Sequence, residues 1–196
     1  MKTKNILLVG LISIIIIING CIPSLHPLYT DDDLVFEASL LDKWFDTESS
    51  DSWTFGATDE NIYKLTLVQT GTPSNFVVHL LKLDDNYFLD FYPDDNDVEC
   101  KENSFYLSHI IYAHTFAKII FNNDGIEILS FDPSWLDELF NENKIRISHE
   151  EVINPSSVDE PMIVLTASTQ ELQKFVKKYA NDENAYIHSV ILKKNI

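Results

Sequence analysis

Hydrophobic and polar positions alternate over much of the first two thirds of this chain. Trp53-Thr54-Phe55 alternates, and Tyr63, Leu65 and Leu67 alternate with Lys64 and Thr66. Both stretches predict half-buried strands. Phe76, Val78 and Leu80 share one face, whereas Leu81 and Leu83 fall on the other. That switch predicts either a bulge or burial on both sides. A further strand is expected over 87–92, stopped by Pro93. Turns separate these runs at Asp59-Glu60-Asn61, across 70–75 with Gly71 and Pro73, and at Asp84-Asp85-Asn86. Residues 105–116 resume β character. Strands over 118–121 and 126–131 flank Asn122-Asn123-Asp124-Gly125, a hairpin signal because Asp-Gly accepts positive φ. Strands of this length and spacing suggest an antiparallel meander.

The period changes after residue 131. Asp132 is a good N-cap and Pro133 suits the first helical position. Trp135, Leu136, Leu139 and Phe140 form the apolar face of that helix. Residues 144–151 and 162–166 read as strands around a loop over 154–161. Ser168-Thr169-Gln170-Glu171 is a capping box. Leu172, Phe175, Val176 and Tyr179 follow at helical spacing, with Lys174, Lys177 and Lys178 toward the C-terminal half. Residues 186–192 form a closing strand. The expected class is mainly β (α+β): an antiparallel meander curled into a barrel or half-barrel, with two late helices.

The N-terminus follows another pattern. Lys2 and Lys4 precede an apolar run from Ile6 to Ile18, interrupted only by Gly10 and Ser13. A secretory signal peptide has this layout, and the run is short for a membrane span, which needs about 20 residues. Ile18-Asn19-Gly20-Cys21 resembles the bacterial lipobox. That resemblance implies cleavage before Cys21 and a diacylglyceryl group on its sulfur. The alternatives are an ordinary signal peptide or an N-terminal anchor helix. The expected division is a signal segment at 1–20, a lipidated tether at 21–33 and one β-rich domain at 34–196. Pro23 and Pro27 with the acidic run Asp31 to Asp33 suggest the tether, although Leu25, Leu28 and Tyr29 are apolar enough to pack.

Charge narrows the partners. The 196-residue chain carries a formal charge of −17, and removal of Lys2 and Lys4 carries it to −19. Such a chain is repelled by nucleic acid and by anionic headgroups. A membrane contact is therefore expected through the lipid on Cys21. Lipidation would leave Cys100 without an internal disulfide partner.

Candidate chemistry is sparse. Asp94-Asp95-Asn96-Asp97 with Glu99 has oxygens suited to calcium, but the EF-hand spacing fails at Val98 and Glu99. The histidines, at 26, 79, 109, 114, 149 and 188, form no metal-ligand motif. On one continuous strand, His109 and His114 would point to opposite faces. No nucleophile elbow and no phosphate-cradling loop are present. Hence no catalytic residue, metal or cofactor is assigned. Trp44, Trp53, Phe55, Tyr63 and Tyr87 are read as core packing or as the lining of a barrel pocket for an apolar ligand.

Several stretches resemble a family of uncharacterised bacterial lipoproteins. They are Ser24-Leu25-His26-Pro27-Leu28-Tyr29-Thr30, Leu34-Val35-Phe36 with Trp44, His114-Thr115-Phe116, Phe131-Asp132-Pro133-Ser134-Trp135-Leu136 and Leu165-Thr166-Ala167-Ser168-Thr169 with Glu171-Leu172-Gln173. The resemblance implies a cell-envelope location, facing the periplasm or the cell surface, and carries no reaction. A weaker likeness is to lipocalin-type barrels, although Asp42-Lys43-Trp44 lacks their usual glycine. A binding or structural role is expected, with carriage of an apolar small molecule as the alternative.

Overall fold

The computed structural model of this chain describes residues 22–94, 105, 108–154 and 157–194. Cys21, Cys100, residues 1–20 and the acidic run after Asp94 lie outside them.

Eight strands close a barrel. They are β1 (Asp42–Asp46), β2 (Ser52–Asp59), β3 (Ile62–Gln69), β4 (Thr72–Leu83), β5 (Asn86–Pro93), β6 (Thr115–Asn122), β7 (Gly125–Phe131) and, after an excursion, β10 (Tyr186–Lys193). Each pairs antiparallel with its sequence neighbour, and β10 joins β7 to β1. The excursion contains α1 (Pro133–Asn141), a separate hairpin of β8 (His149–Asn154) and β9 (Ser157–Leu165), and α2 (Thr169–Tyr179). The expected meander is thus a fully closed barrel. Closure removes the exposed strand edges that an open sheet would present.

The barrel interior is one apolar cluster, which includes Leu40, Trp44, Phe55, Tyr63, Leu65, Val78, Leu80, Leu89, Ile119, Ile128 and Leu192. A second cluster lies outside the wall. Leu81, Leu83, Phe88, Phe116 and Phe131 point away from the interior and meet Leu136 of α1, Leu172, Phe175 and Val176 of α2, and Leu165 of β9. This second layer explains the change of face in β4. The β4–β5 register runs unbroken from Phe76↔Pro93 to Leu83↔Asn86, so the strand is buried on both sides and carries no bulge.

Both helices start as their sequences dictate. The Asp132 side chain accepts from Ser134 N–H at 2.8 Å. Ser168 N–H and its hydroxyl both donate to the Glu171 carboxylate. That carboxylate is held below its usual range by the Ser168 side chain first and by its backbone N–H second.

Several details differ from the sequence reading. The β3–β4 loop is a tight turn at Thr70-Gly71, both at positive φ, and Pro73 already belongs to β4. Two central residues of positive φ match the right-handed twist of flanking strands. The β6–β7 hairpin forms where expected, but not through positive φ at Asp124 or Gly125. Gly125 sits inside β7, where a Cβ would collide with the Leu192 carbonyl oxygen of β10. Close strand approach, not turn geometry, requires this glycine. β6 starts only at Thr115, and Ser108–His109 is a turn, so these two histidines do not share a strand. β9 begins at Ser157, inside the stretch expected to be a loop.

Residues 22–33 do not form a free spacer. Ile22, Ser24 and Leu28 are buried. Ser24 exchanges both backbone hydrogen bonds with His114, and Leu165 N–H donates to Pro23 C=O while Leu25 N–H donates to Leu165 C=O. This strap then runs along the outside of β5 and β4, where Val35 N–H donates to Leu80 C=O. The chain next turns over one end of the barrel, and Val35, Leu40 and Leu41 join the interior cluster. Pro23 and Pro27 disfavour helix around them but leave extended pairing open, so the sequence signal for a tether was compatible with a packed strap.

Candidate functional site

The aromatic residues proposed as a pocket divide into two groups. Trp44, Phe55 and Tyr63 are buried in the interior cluster. Trp44 Nε1–H donates to Leu40 C=O at 2.8 Å. The Tyr63 hydroxyl accepts from Glu37 N–H at 2.7 Å, fixing the segment that covers this end. Burial raises the Tyr63 pKa, the Glu37 N–H opposes this and the Glu37 charge adds to it. These side chains fill and close the barrel. Trp53 and Tyr87 are half-buried at opposite mouths. Trp53 meets Phe91 edge-on at 6.1 Å between ring centroids, and Tyr87 meets Phe121 at 5.7 Å. All five belong to the one interior cluster, Trp44, Phe55 and Tyr63 within it and Trp53 and Tyr87 toward its two ends.

A different constellation lies outside the wall, beneath the strap. Asp90 of β5 is fully buried. One of its carboxylate oxygens accepts from Leu28 N–H at 2.8 Å, and the other lies 2.7 Å from His114 Nδ1. His79 of β4 is the direct cross-strand neighbour of Asp90. Its ring stacks on Tyr29 at 4.2 Å, and its buried Nδ1 has no hydrogen-bond partner among the described residues. Burial holds the His79 pKa below its ordinary value, with the Asp90 charge pulling the other way, His114 adding to the depression and Asp31 opposing it. Tyr29 is pushed up by burial first, then by Asp90 and Asp31. The His114 ring also packs against Tyr92 at 4.6 Å.

Helix α2 holds the strap from its other side. Thr169 Oγ1 donates to Pro27 C=O at 2.8 Å. Gln173 Nε2 donates to Leu28 C=O at 2.9 Å and to the Asp33 carboxylate at 2.7 Å. Burial works to raise the Asp33 pKa, but hydrogen bonds from Thr30 and Gln173 prevail and hold it low. Three stretches distant in sequence, at 24–30, 114–116 and 165–173, therefore meet in space around one strap. One Asp90 oxygen is committed to the strap and the other to His114, and Ser24 Oγ donates to the nearby His26 C=O. Among the described residues, the Asp90–His114 pair serves to capture the strap backbone.

A groove of about 510 Å³ lies on the outside of β6, β7 and β10, against the end of α2. Lys118 reaches across it, donating to Ala180 C=O at 2.7 Å and to Asn181 Oδ1 at 3.3 Å. The Tyr186 hydroxyl donates to the same carbonyl, and burial raises its pKa strongly, with Asp182 adding to the shift. Burial lowers the pKa of Lys118. Its charge compensates the last carbonyls of α2.

The remaining candidates are dispersed. Asp94 pairs with Lys64 at 3.2 Å, and its acidic neighbours fall outside the described residues. His149 packs on Phe140, and His109 lies against Phe105. Among the described residues, no three His, Cys, Asp or Glu side chains are grouped to hold a metal ion. No helix among them is long and apolar enough to cross a membrane.

Fold and site together define a closed, eight-stranded up-and-down β-barrel with a strapped, helix-covered outer wall. Comparison of the chain with family models, curated proteins and solved structures returns no match.

Proposed function

We propose that this protein is a lipid-anchored component of the bacterial cell envelope with a binding or structural role. A diacylglyceryl group on Cys21 holds it at a membrane, facing the periplasm or the cell surface. The observation that carries the role is the filled barrel. Leu40, Tyr63, Leu65, Val78, Leu80 and Leu89 are all inaccessible inside it, so binding falls to the outer surface. Two or three acyl chains support stable anchoring where a single chain is marginal. The test is mass spectrometry of the N-terminal peptide from protein isolated from its own membrane. The expected mass is that of acylated Cys21 as first residue, and C21A should leave the membrane fraction. A free Cys21 thiol in the membrane-bound protein would overturn the anchor.

A second reading, carriage of an apolar small molecule, is favoured by one mouth of the barrel. Trp53, Leu67, Phe76 and Phe91 pack only partly against the interior cluster there. Native mass spectrometry of the same preparation separates the two readings. A retained apolar ligand supports carriage, and a ligand-free mass sinks it.

A further inference from the structure

We infer that the barrel stands on the membrane by a defined end, the one where the strap enters. This rests on lipidation of Cys21 as proposed above. A flexible spacer after a lipidated cysteine would leave the orientation of the barrel free. Here the next residue, Ile22, is already buried in the outer cluster, and Ser24 is paired with His114. Three residues span at most about 10 Å, so the Cys21 Cα, from which the lipid hangs, stays within that distance of Ser24.

The surface near that pair is suited to lipid. Ile111, three residues before His114, is 78% exposed, and Phe105 in the same β5–β6 connection is 76% exposed. The half-buried apolar mouth with Trp53 and Phe91 opens at this same end. The hairpin turns at the opposite end carry exposed carboxylates: Asp59 and Glu60, Asp84 and Asp85, and Asp124. The strap end carries exposed carboxylates as well, Glu48 in the β1–β2 turn across the barrel and Glu150 and Glu151 of β8 beside the strap, so the lipid contact is confined to the patch that holds Ile111 and Phe105. The short chain from Cys21 brings that patch to the bilayer. The occupant of the patch is therefore the outer acyl region of the bilayer that holds the anchor.

The test uses full-length protein carrying C100S, purified from membranes and reconstituted in phosphatidylcholine vesicles, whose neutral surface avoids charge repulsion. I111C or D124C then carries one environment-sensitive fluorophore, the Cys21 thiol being blocked by its lipid. The label at 111 should shift to the blue and be quenched by spin-labelled acyl chains, while the label at 124 shows neither effect. A flexible spacer inserted between Cys21 and Ile22 should abolish the quenching at 111. Equal quenching at both positions, no quenching at 111, or quenching that survives the spacer overturns the inference. Intact mass is read first. A non-acylated chain overturns the anchor proposal itself, whereas an acylated chain with a solvated label at 111 overturns only the orientation.

Discussion

The two halves of the barrel wall obey different rules. In β2 and β3 burial alternates: Phe55, Tyr63 and Leu65 are buried, and Thr54, Gly56 and Lys64 are exposed. In β4 and β5 it does not: His79 to Leu81 and Phe88 to Asp90 are buried as continuous runs. The first wall separates core from water. The second separates two cores, the barrel interior and the layer formed by strap, helices and hairpin. An outward-facing residue therefore has little energetic weight on one side of the molecule and a large one on the other.

The strongest way to break this comparison is to truncate an outward residue of the covered wall. Phe88 is fully buried, and Phe88→Ala should cost about 3–5 kcal/mol, read as a lower urea midpoint. Hydrogen exchange should show α1, α2 and the strap losing protection before β2 and β3. Equal loss throughout would show that the two layers fold as one unit.

Next comes the clamp. Asp90→Ala leaves the buried Leu28 N–H without its acceptor, at a cost of about 1–3 kcal/mol. Limited proteolysis should then cut within residues 22–33, while the barrel remains intact. Gly125→Ala probes the seam between β7 and β10 and should cost about 1–3 kcal/mol through overpacking against the Leu192 carbonyl. Thermal denaturation reads this directly, and an unchanged melting temperature would show that the strands can move apart.

The pH effect is gentler. His79 is depressed in the folded state by burial, so the unfolded chain binds the proton more readily. Stability is intact above the ordinary imidazole value of about 6.5 and falls as pH drops through it toward the folded value. Urea midpoints between pH 8 and pH 5 should show this slope, and His79→Phe should flatten it. Asp90 and Asp31 oppose the depression and His114 adds to it, so their substitution should alter the slope as well. The smallest effect belongs to the open wall, where Thr54→Ala should stay within about 0.5 kcal/mol. A loss as large as that of Phe88→Ala would mean that both walls are covered.

The meander was legible in the sequence because its signals are local. Alternation marks each strand, and polar turns separate them. α1 and α2 were legible for the same reason, since Asp132, Pro133, Ser168 and Glu171 act on neighbouring backbone. The strap was not. Leu28 finds its acceptor 62 residues away in Asp90 and a donor 145 residues away in Gln173, and no period within 22–33 encodes such partners. The depth of each aromatic in the interior cluster was not legible either. Aromatic composition reports large apolar surface, whereas register decides whether each ring fills the interior, as Phe55 does, or sits at a mouth, as Trp53 does.

The sequence by itself determined the meander from β2 to β7, both helix starts and the chemical character of the N-terminus. Those properties depend on residues within a turn or two of one another. Tertiary structure alone decided that the barrel closes, that one wall is covered, and that the chain after Cys21 is locked down from Ile22 onward. Each of these outcomes requires distant backbone groups to satisfy one another. A buried N–H such as that of Leu28 cannot name its acceptor until the fold brings Asp90 beneath it.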